Sequence, residues 1–387
     1  MDIKPNIHKV SPWEEVFSFL TDKRLLTAFS LVLLIRFIFV LSPPLVTSDL
    51  MRGLWYGKQF WGLFFDVYNL SPADIDLSSY TSIVVDPING EAPWPRNTYD
   101  YGIVSLLFYA FLALFPGGLA TQVLVAKLVL TGIDALNFVL IRRLENSGRF
   151  SRNLFSWLYW IVLSLFTSLE GQVVAVTVFL FLLSLWFYLD LNKTSSALLV
   201  VAVGFHWKYV SFLLLPFLLL DLVSQAIRTQ ETLRAQLEYL AKVLVLPLSV
   251  FGLFWFPLLF SDYILAYISY AGALPVNVDH PWNPFYLGPP LTIASLFLLL
   301  MLVGFLGWWG GKYYKGKASL QELVSALPLF GLWLFLLVYR YAFPWYWMWS
   351  FPLAVVFPDW QKREVSVVYL GLCALAAAEF MFWTIGY

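Results

Sequence analysis

Asp49 sits two residues past an apolar run and opens a long stretch rich in aromatic and acidic residues. Where a chain leaves a bilayer, a carboxylate facing a partly desolvated cleft has its pKa raised and can act as a general base. The pattern Thr47-Ser48-Asp49-Leu50 equally fits an N-cap for a helix over 50–65, and one residue can do both. A second acid, Glu170, lies in Ser168-Leu169-Glu170-Gly171-Gln172, a turn too short to need a carboxylate for solubility. It reads as a metal ligand, an acceptor-binding acid or a partner of Asp49. Among the cations, Lys208 in His206-Trp207-Lys208 marks the tip of a short helical hairpin, where it would bind phosphate or snorkel to an interface. Arg340 precedes Phe343-Pro344-Trp345-Tyr346-Trp347, and its planar fork suits bidentate bonds to a phosphate on a lipid head. An ordinary aromatic belt accounts for most of those rings, but not for the arginine. Asp279-His280 runs into Pro281-Trp282-Asn283-Pro284, a rigid aromatic turn.

A membrane bundle must position these groups. The 387 residues are 60% hydrophobic and 12% charged, with mean hydropathy +0.75, against roughly half apolar and a quarter charged in a soluble domain. Apolar runs at 24–46, 120–141, 153–169, 173–190, 195–207, 209–222, 243–260, 287–308, 320–338, 345–358 and 365–385 read as spans. Another run, 101–116, reads as a helix lying in the outer interface, because counting it as a span would put Arg142, Arg143, Arg149 and Arg152 outside. Seventeen of the 24 basic residues then lie on the inner side, as the positive-inside rule favours. The N-terminus is inside. The outer connections are 47–119, the turn around Glu170, the turn 205–208, the loop 261–286 and the stretch 339–347, and they hold nearly every reactive side chain.

The first outer loop carries Asp49, Asp66, Asp74, Asp76, Asp86, Glu91 and Asp100, with candidate interfacial helices at 50–65 and 101–116. Asp74, Asp76, Asp86 and Glu91, set among Pro, Ser and Asn, read as solvated turn residues. On the inner side, Trp13, Val16, Phe17 and Leu20 keep helical spacing within a 1–23 interfacial segment, and 223–242 is basic and amphipathic. Arg36, Lys127 and Asp134 fall within spans and must face the bundle interior. An Arg36–Asp134 pair is the favoured solution. Equal acid and base counts, 24 each, give no electrostatic reason for a nucleic-acid partner. The single Cys373 excludes an intramolecular disulfide, and the N-terminus lacks a cleavable signal pattern. No internal repeat is evident, which weighs against many carrier architectures.

This layout resembles the GT-C superfamily of membrane glycosyltransferases. Asp49 matches the acid after the first span. Asp66-Val67-Tyr68-Asn69-Leu70-Ser71-Pro72 and the stretch from Asn97 to Pro116, which includes Tyr99 and Asp100, resemble the first loop of these enzymes. The turn around Glu170 is similar to their second acidic site. Gly204-Phe205-His206-Trp207-Lys208 with Pro216 resembles a stretch of the GPI mannosyltransferase I catalytic subunit and its prokaryotic relatives, and Val278 to Gly288 is similar to another of their loops. The resemblance implies an all-α polytopic bundle of about 11 transmembrane helices, with two juxtamembrane helices in the first extracytoplasmic loop. It implies Asp49 and Glu170 as catalytic residues, and His206, Lys208, His280, Arg340, Asp100 and Tyr99 as substrate-binding ones. The donor would be a polyprenyl or dolichyl phosphate sugar and the acceptor a lipid or glycan, in a plasma membrane or the endoplasmic reticulum. A small accessory subunit is an open partner. Asp49-Leu50-Met51 departs from the Asp-x-Asp of the GPI enzyme, so a divalent cation, Mg2+ or Mn2+, stays open against charge neutralisation by protein cations. The alternatives are a transporter or flippase for lipid-linked sugars, drawing on the intramembrane charges, and a non-catalytic scaffold subunit.

Overall fold

Helices account for all the regular structure among the residues that the computed structural model describes: 21–41, 48–84, 101–146, 154–164, 173–261 and, in smaller pieces, 95, 99, 167–168, 171, 300, 304, 307–308, 311–312, 315 and 317. In chain order they are α1 (Lys23–Leu41), α2 (Ser48–Leu63), α3 (Pro72–Ile75), α4 (Leu77–Ile83), α5 (Ile103–Ala113), α6 (Gly118–Asn146), α7 (Leu154–Leu158), α8 (Val174–Leu185), α9 (Thr194–Phe205), α10 (Leu215–Thr229) and α11 (Leu233–Trp255).

Three helical stretches among the described residues are long and apolar enough to cross a membrane: Lys23–Leu41, Gly118–Glu145 and Leu233–Phe260. They overlap the runs expected at 24–46, 120–141 and 243–260. The runs expected at 173–190, 195–207 and 209–222 contain shorter helices, whereas those at 320–338, 345–358 and 365–385 and most of 287–308 lie outside the described residues. With 12 residues, α9 covers about 18 Å, well short of the roughly 30 Å hydrocarbon layer. Its apolar side chains are covered by protein: Ala197, Leu198 and Val201 lie in one cluster with Phe181 of α8 and Leu218 of α10. The 11 residues of α5 reach about 16 Å, too short to span. The stretch 223–242 is divided between the end of α10 and the start of α11. Thr232 caps α11 by accepting from the Ala235 N–H at 3.2 Å, and Arg234 reaches Glu238 one turn on at 2.8 Å.

Between the first two long helices, the chain folds into a small aromatic body. Tyr56, Tyr68, Tyr80, Tyr99, Tyr109 and Trp55 are each at most 1% exposed. Burying an aromatic side chain from water contributes about 2–3 kcal/mol, which holds this connection in one conformation. Short capped helices close its edge. The Asp74 carboxylate accepts from the Ser71 N–H at 2.9 Å and from the Ser71 hydroxyl at 2.5 Å, and Pro72 supplies a ready-made first helical φ. Asp76 accepts from the Ser79 N–H at 3.0 Å to start α4. These bonds hold both carboxyls below the usual range, so the two acids work as local caps.

The expected intramembrane pair is present. Arg36 Nη2 lies 3.4 Å from Asp134 Oδ2, with both side chains fully buried. Asp134 also accepts from the Tyr159 hydroxyl and, at 3.4 Å, from Asn137 Nδ2. The Arg36 guanidinium lies over the Trp160 ring, 4.1 Å from its centroid. Tyr159 and Trp160 are consecutive, yet both turn toward the pair. They open a π-helical turn, Tyr159–Leu163, whose wider winding changes the angle between neighbouring side chains.

Candidate functional site

Helix α2 begins at Ser48, so Asp49 is its second residue, inside the first turn and not at the cap. Its side chain is half-buried and makes no hydrogen bond with the described residues. Helical spacing puts Asp49, Arg52, Gly53, Tyr56 and Gly57 on one face. That face is covered by α5. A methyl group added at Gly53 would lie 2.3 Å from Tyr109 Cζ, and one at Gly57 would lie 2.4 Å from the Tyr109 carbonyl carbon. The two helices therefore approach backbone to backbone, as a Gly-x-x-x-Gly pair permits. Trp61 Nε1 fastens the far end by donating to the Ala110 carbonyl at 3.0 Å. Gly53-x-x-x-Gly57 is legible in the sequence, and it is the signal that would have drawn Tyr109 into the site.

Gly171, which follows Glu170 in the chain, meets the first turn of α2. Gly171 has a left-handed backbone, φ +73°, and a methyl group on it would meet Leu50 Cδ2 at 2.4 Å and Lys127 Cγ at 3.6 Å. Gly171 is thus seated against Leu50 in the first turn of α2 and against Lys127 of α6. Ser168 is tied in by its hydroxyl, 3.0 Å from that of Thr131. Glu170, Asp100, His280 and Arg340 lie outside the described residues.

The turn 205–208 joins this assembly through α5. The His206 carbonyl accepts from the N–H groups of Val104 at 2.9 Å and Ser105 at 3.4 Å, so it caps the start of α5. Gly102 makes this approach possible, since a methyl there would lie 2.3 Å from the same oxygen. The His206 ring is fully buried against Phe205, Phe251, Phe254 and Trp255, and Nε2 is 3.2 Å from the Phe251 carbonyl. Burial pushes this imidazole down to about 4, against 6.5 for a free histidine, with the Phe251 bond opposing the shift. His206 is neutral at pH 7 and pins α5, α9 and α11 together. Lys208, two residues on, is half-buried with its ammonium 5.1 Å from the centre of the Tyr101 ring. Tyr99 is fully buried within the aromatic body, its hydroxyl 2.7 Å from that of Ser105.

A stability measurement checks the His206 placement. Its folded pKa is below its unfolded one, so the unfolded chain binds more protons between about 6.5 and about 4. Stability from the neutral ring is complete above that window and is lost as pH falls through it. Thermal unfolding of purified protein should show a lower midpoint at pH 4.5 than at pH 7, and His206→Gln should flatten that difference. An unchanged pH difference in the variant would place the titrating group elsewhere.

Among the described residues, no three His, Cys, Asp or Glu side chains come together to hold an ion. The Mg2+ or Mn2+ ion rests on the resemblance alone. What the arrangement offers chemically is a half-buried carboxylate at a helix start, a neighbouring buried phenol, the buried Arg52, and a lysine beside the start of α5. The chain matches no known family model, no curated protein and no solved structure.

Proposed function

We propose that this chain is an inverting membrane glycosyltransferase of the GT-C kind. It moves a sugar, mannose by preference, from a polyprenyl or dolichyl phosphate to a lipid, glycan or protein acceptor on the extracytoplasmic face. The observation that carries the reading is the seating of Gly171 on Leu50. Glu170 directly precedes Gly171 in the chain and Asp49 directly precedes Leu50, and we read the two acids as serving one site on that ground.

In this reading, Asp49 takes the proton of the acceptor hydroxyl as its oxygen attacks the sugar, and Glu170 orients the acceptor. The phosphate leaves with the charge that Lys208, His280 and Arg340 are there to receive, the last two from later in the chain. Tyr99 meets Ser105 at the start of α5, and with Asp100, its chain neighbour, it contacts the substrate in this reading. The lipid tail of the donor lies among the later spans of a bundle of about eleven, with the N-terminus cytoplasmic. Membrane lipids surround the protein, and a small accessory subunit is a natural partner for the exposed loops. A carrier reading draws on the intramembrane charges, but Arg36 and Asp134 are fully buried against each other, and that weighs against an open path.

The test is transfer of radiolabelled mannose from dolichyl phosphate mannose into a lipid or glycan extract, using the purified full chain in lipid nanodiscs. Transfer is expected. Lys208→Gln should raise the donor KM about tenfold, the scale of one charge-assisted phosphate contact, with kcat less affected. No transfer with donor and acceptor varied would sink the glycosyltransferase reading.

A further inference from the structure

Tyr109 is 1% exposed, and the ring atoms that crowd Gly53 are Cζ and both Cε carbons, the end that bears the hydroxyl. Gly53 is one helical turn after Asp49 on the same face of α2, so the phenol end is seated one rung from the carboxylate. Asp49 and Arg52 both act on that phenol electrostatically. Burial pushes it well above the usual tyrosine range, Asp49 adds to the push and Arg52 opposes it. The group is therefore a standing donor at any working pH. Its hydroxyl makes no hydrogen bond with the described residues, and neither does the Asp49 carboxylate. Among the described residues the two groups are a donor and an acceptor on adjacent rungs.

We propose that Tyr109 is the positioning residue of the Asp49 site, its hydroxyl donating to the Asp49 carboxylate directly or through one ordered water. One carboxylate oxygen is then held, and the other is presented to the acceptor hydroxyl. Gly53 is the seat that makes this possible, because any side chain there displaces the ring. Among the described residues, the other charges toward the carboxylate are Arg52 on its own helix and Lys127 of α6, which lies beyond Gly171; Glu170 adjoins Gly171 in the chain. The inference rests on Asp49 as the base of the proposed transfer, yet its first readout needs no substrate.

The experiment is infrared titration of the purified full chain. The carboxyl stretch of Asp49 is identified as the band lost in Asp49→Asn, and its midpoint is compared in wild type, Tyr109→Phe and Gly53→Ala. Removing a donor that favours the ionised form should raise the midpoint by about one pH unit in both variants. In the transfer assay, Tyr109→Phe should lower kcat roughly 10- to 100-fold with little change in KM, the scale of one hydrogen bond to a charged group. The acidic limb of the rate profile should move up with the midpoint. A wild-type midpoint in Tyr109→Phe, or loss of cooperative unfolding from removing the hydroxyl alone, overturns the proposal. Full transfer by Asp49→Asn would instead remove Asp49 as the base, while a raised midpoint would still stand as the signature of the Tyr109 contact.

Discussion

Asp49→Asn is expected to lower transfer by about a thousandfold while leaving the fold in place. General acid–base catalysis contributes typically 10²–10⁴-fold, and an amide of the same shape cannot take the proton. The proton moves only as the new bond forms, so kcat should fall and donor KM should stay near its wild-type value. The fold should tolerate the change for reasons visible locally. Asp49 is half-buried, is not the helix cap, and accepts no hydrogen bond from the described residues. What is lost is a negative charge in the first turn of α2, worth about 0.3–1 kcal/mol against the helix dipole. Thermal unfolding of the variant should shift by no more than that. The pattern separates the readings. A residue serving only as a helix-start charge loses stability and keeps kcat, whereas a base loses kcat and keeps stability. If transfer survives, the base lies elsewhere, and Glu170, the chain neighbour of Gly171, is the next carboxylate to change.

Much of the local structure was legible from residue types, and the reasons are physical. The helix expected over 50–65 forms as Ser48–Leu63, and the one expected over 101–116 forms as Ile103–Ala113. Each is an apolar, aromatic run bounded by turn residues. Asp74 and Asp76 cap short helices, as acids next to Ser and Pro do. The Arg36–Asp134 pair followed from the cost of unpaired charge in hydrocarbon. The number of spans was harder to read, because hydropathy does not distinguish a side chain facing lipid from one facing protein. α9 is apolar from Ala197 to its end, yet it is a short helix packed within the bundle. The burial of His206 was illegible for a similar reason. Its sequence neighbours place it at a hairpin tip, while the rings of Phe251, Phe254 and Trp255 that enclose it come from another helix. Tyr109 looked like one more aromatic in an aromatic chain. Only its contact with Gly53 distinguishes it, and that contact joins two helices separated by the whole aromatic body.

Arg36→Met should cost about 3–5 kcal/mol of stability, the range for breaking a buried ion pair from one side. Arg36 and Asp134 are fully buried, and removing the arginine leaves a carboxylate facing neutral donors such as Tyr159 and Asn137. Asp134→Asn should be at least as damaging. It strands a guanidinium that cannot shed its proton, over the Trp160 ring and without a counter-charge. The double variant Arg36→Met with Asp134→Leu should recover most of the loss, because two apolar side chains of similar volume need no partner in that setting. Additive losses in the double variant would show that the pair contributes no mutual stabilisation. The consequence extends to the site. α1 meets the bundle through this pair and through the stacking of Phe29 on Trp160 at 4.7 Å, while most of its other side chains face outward. It ends at Leu41, and α2, with Asp49 in its first turn, begins at Ser48. With so short a connection, a displaced α1 displaces Asp49. Arg36→Met should therefore lose transfer together with stability, and the double variant should regain both. Stability regained without transfer would mean that the charge pair itself, and not the position of α1, is what the reaction requires.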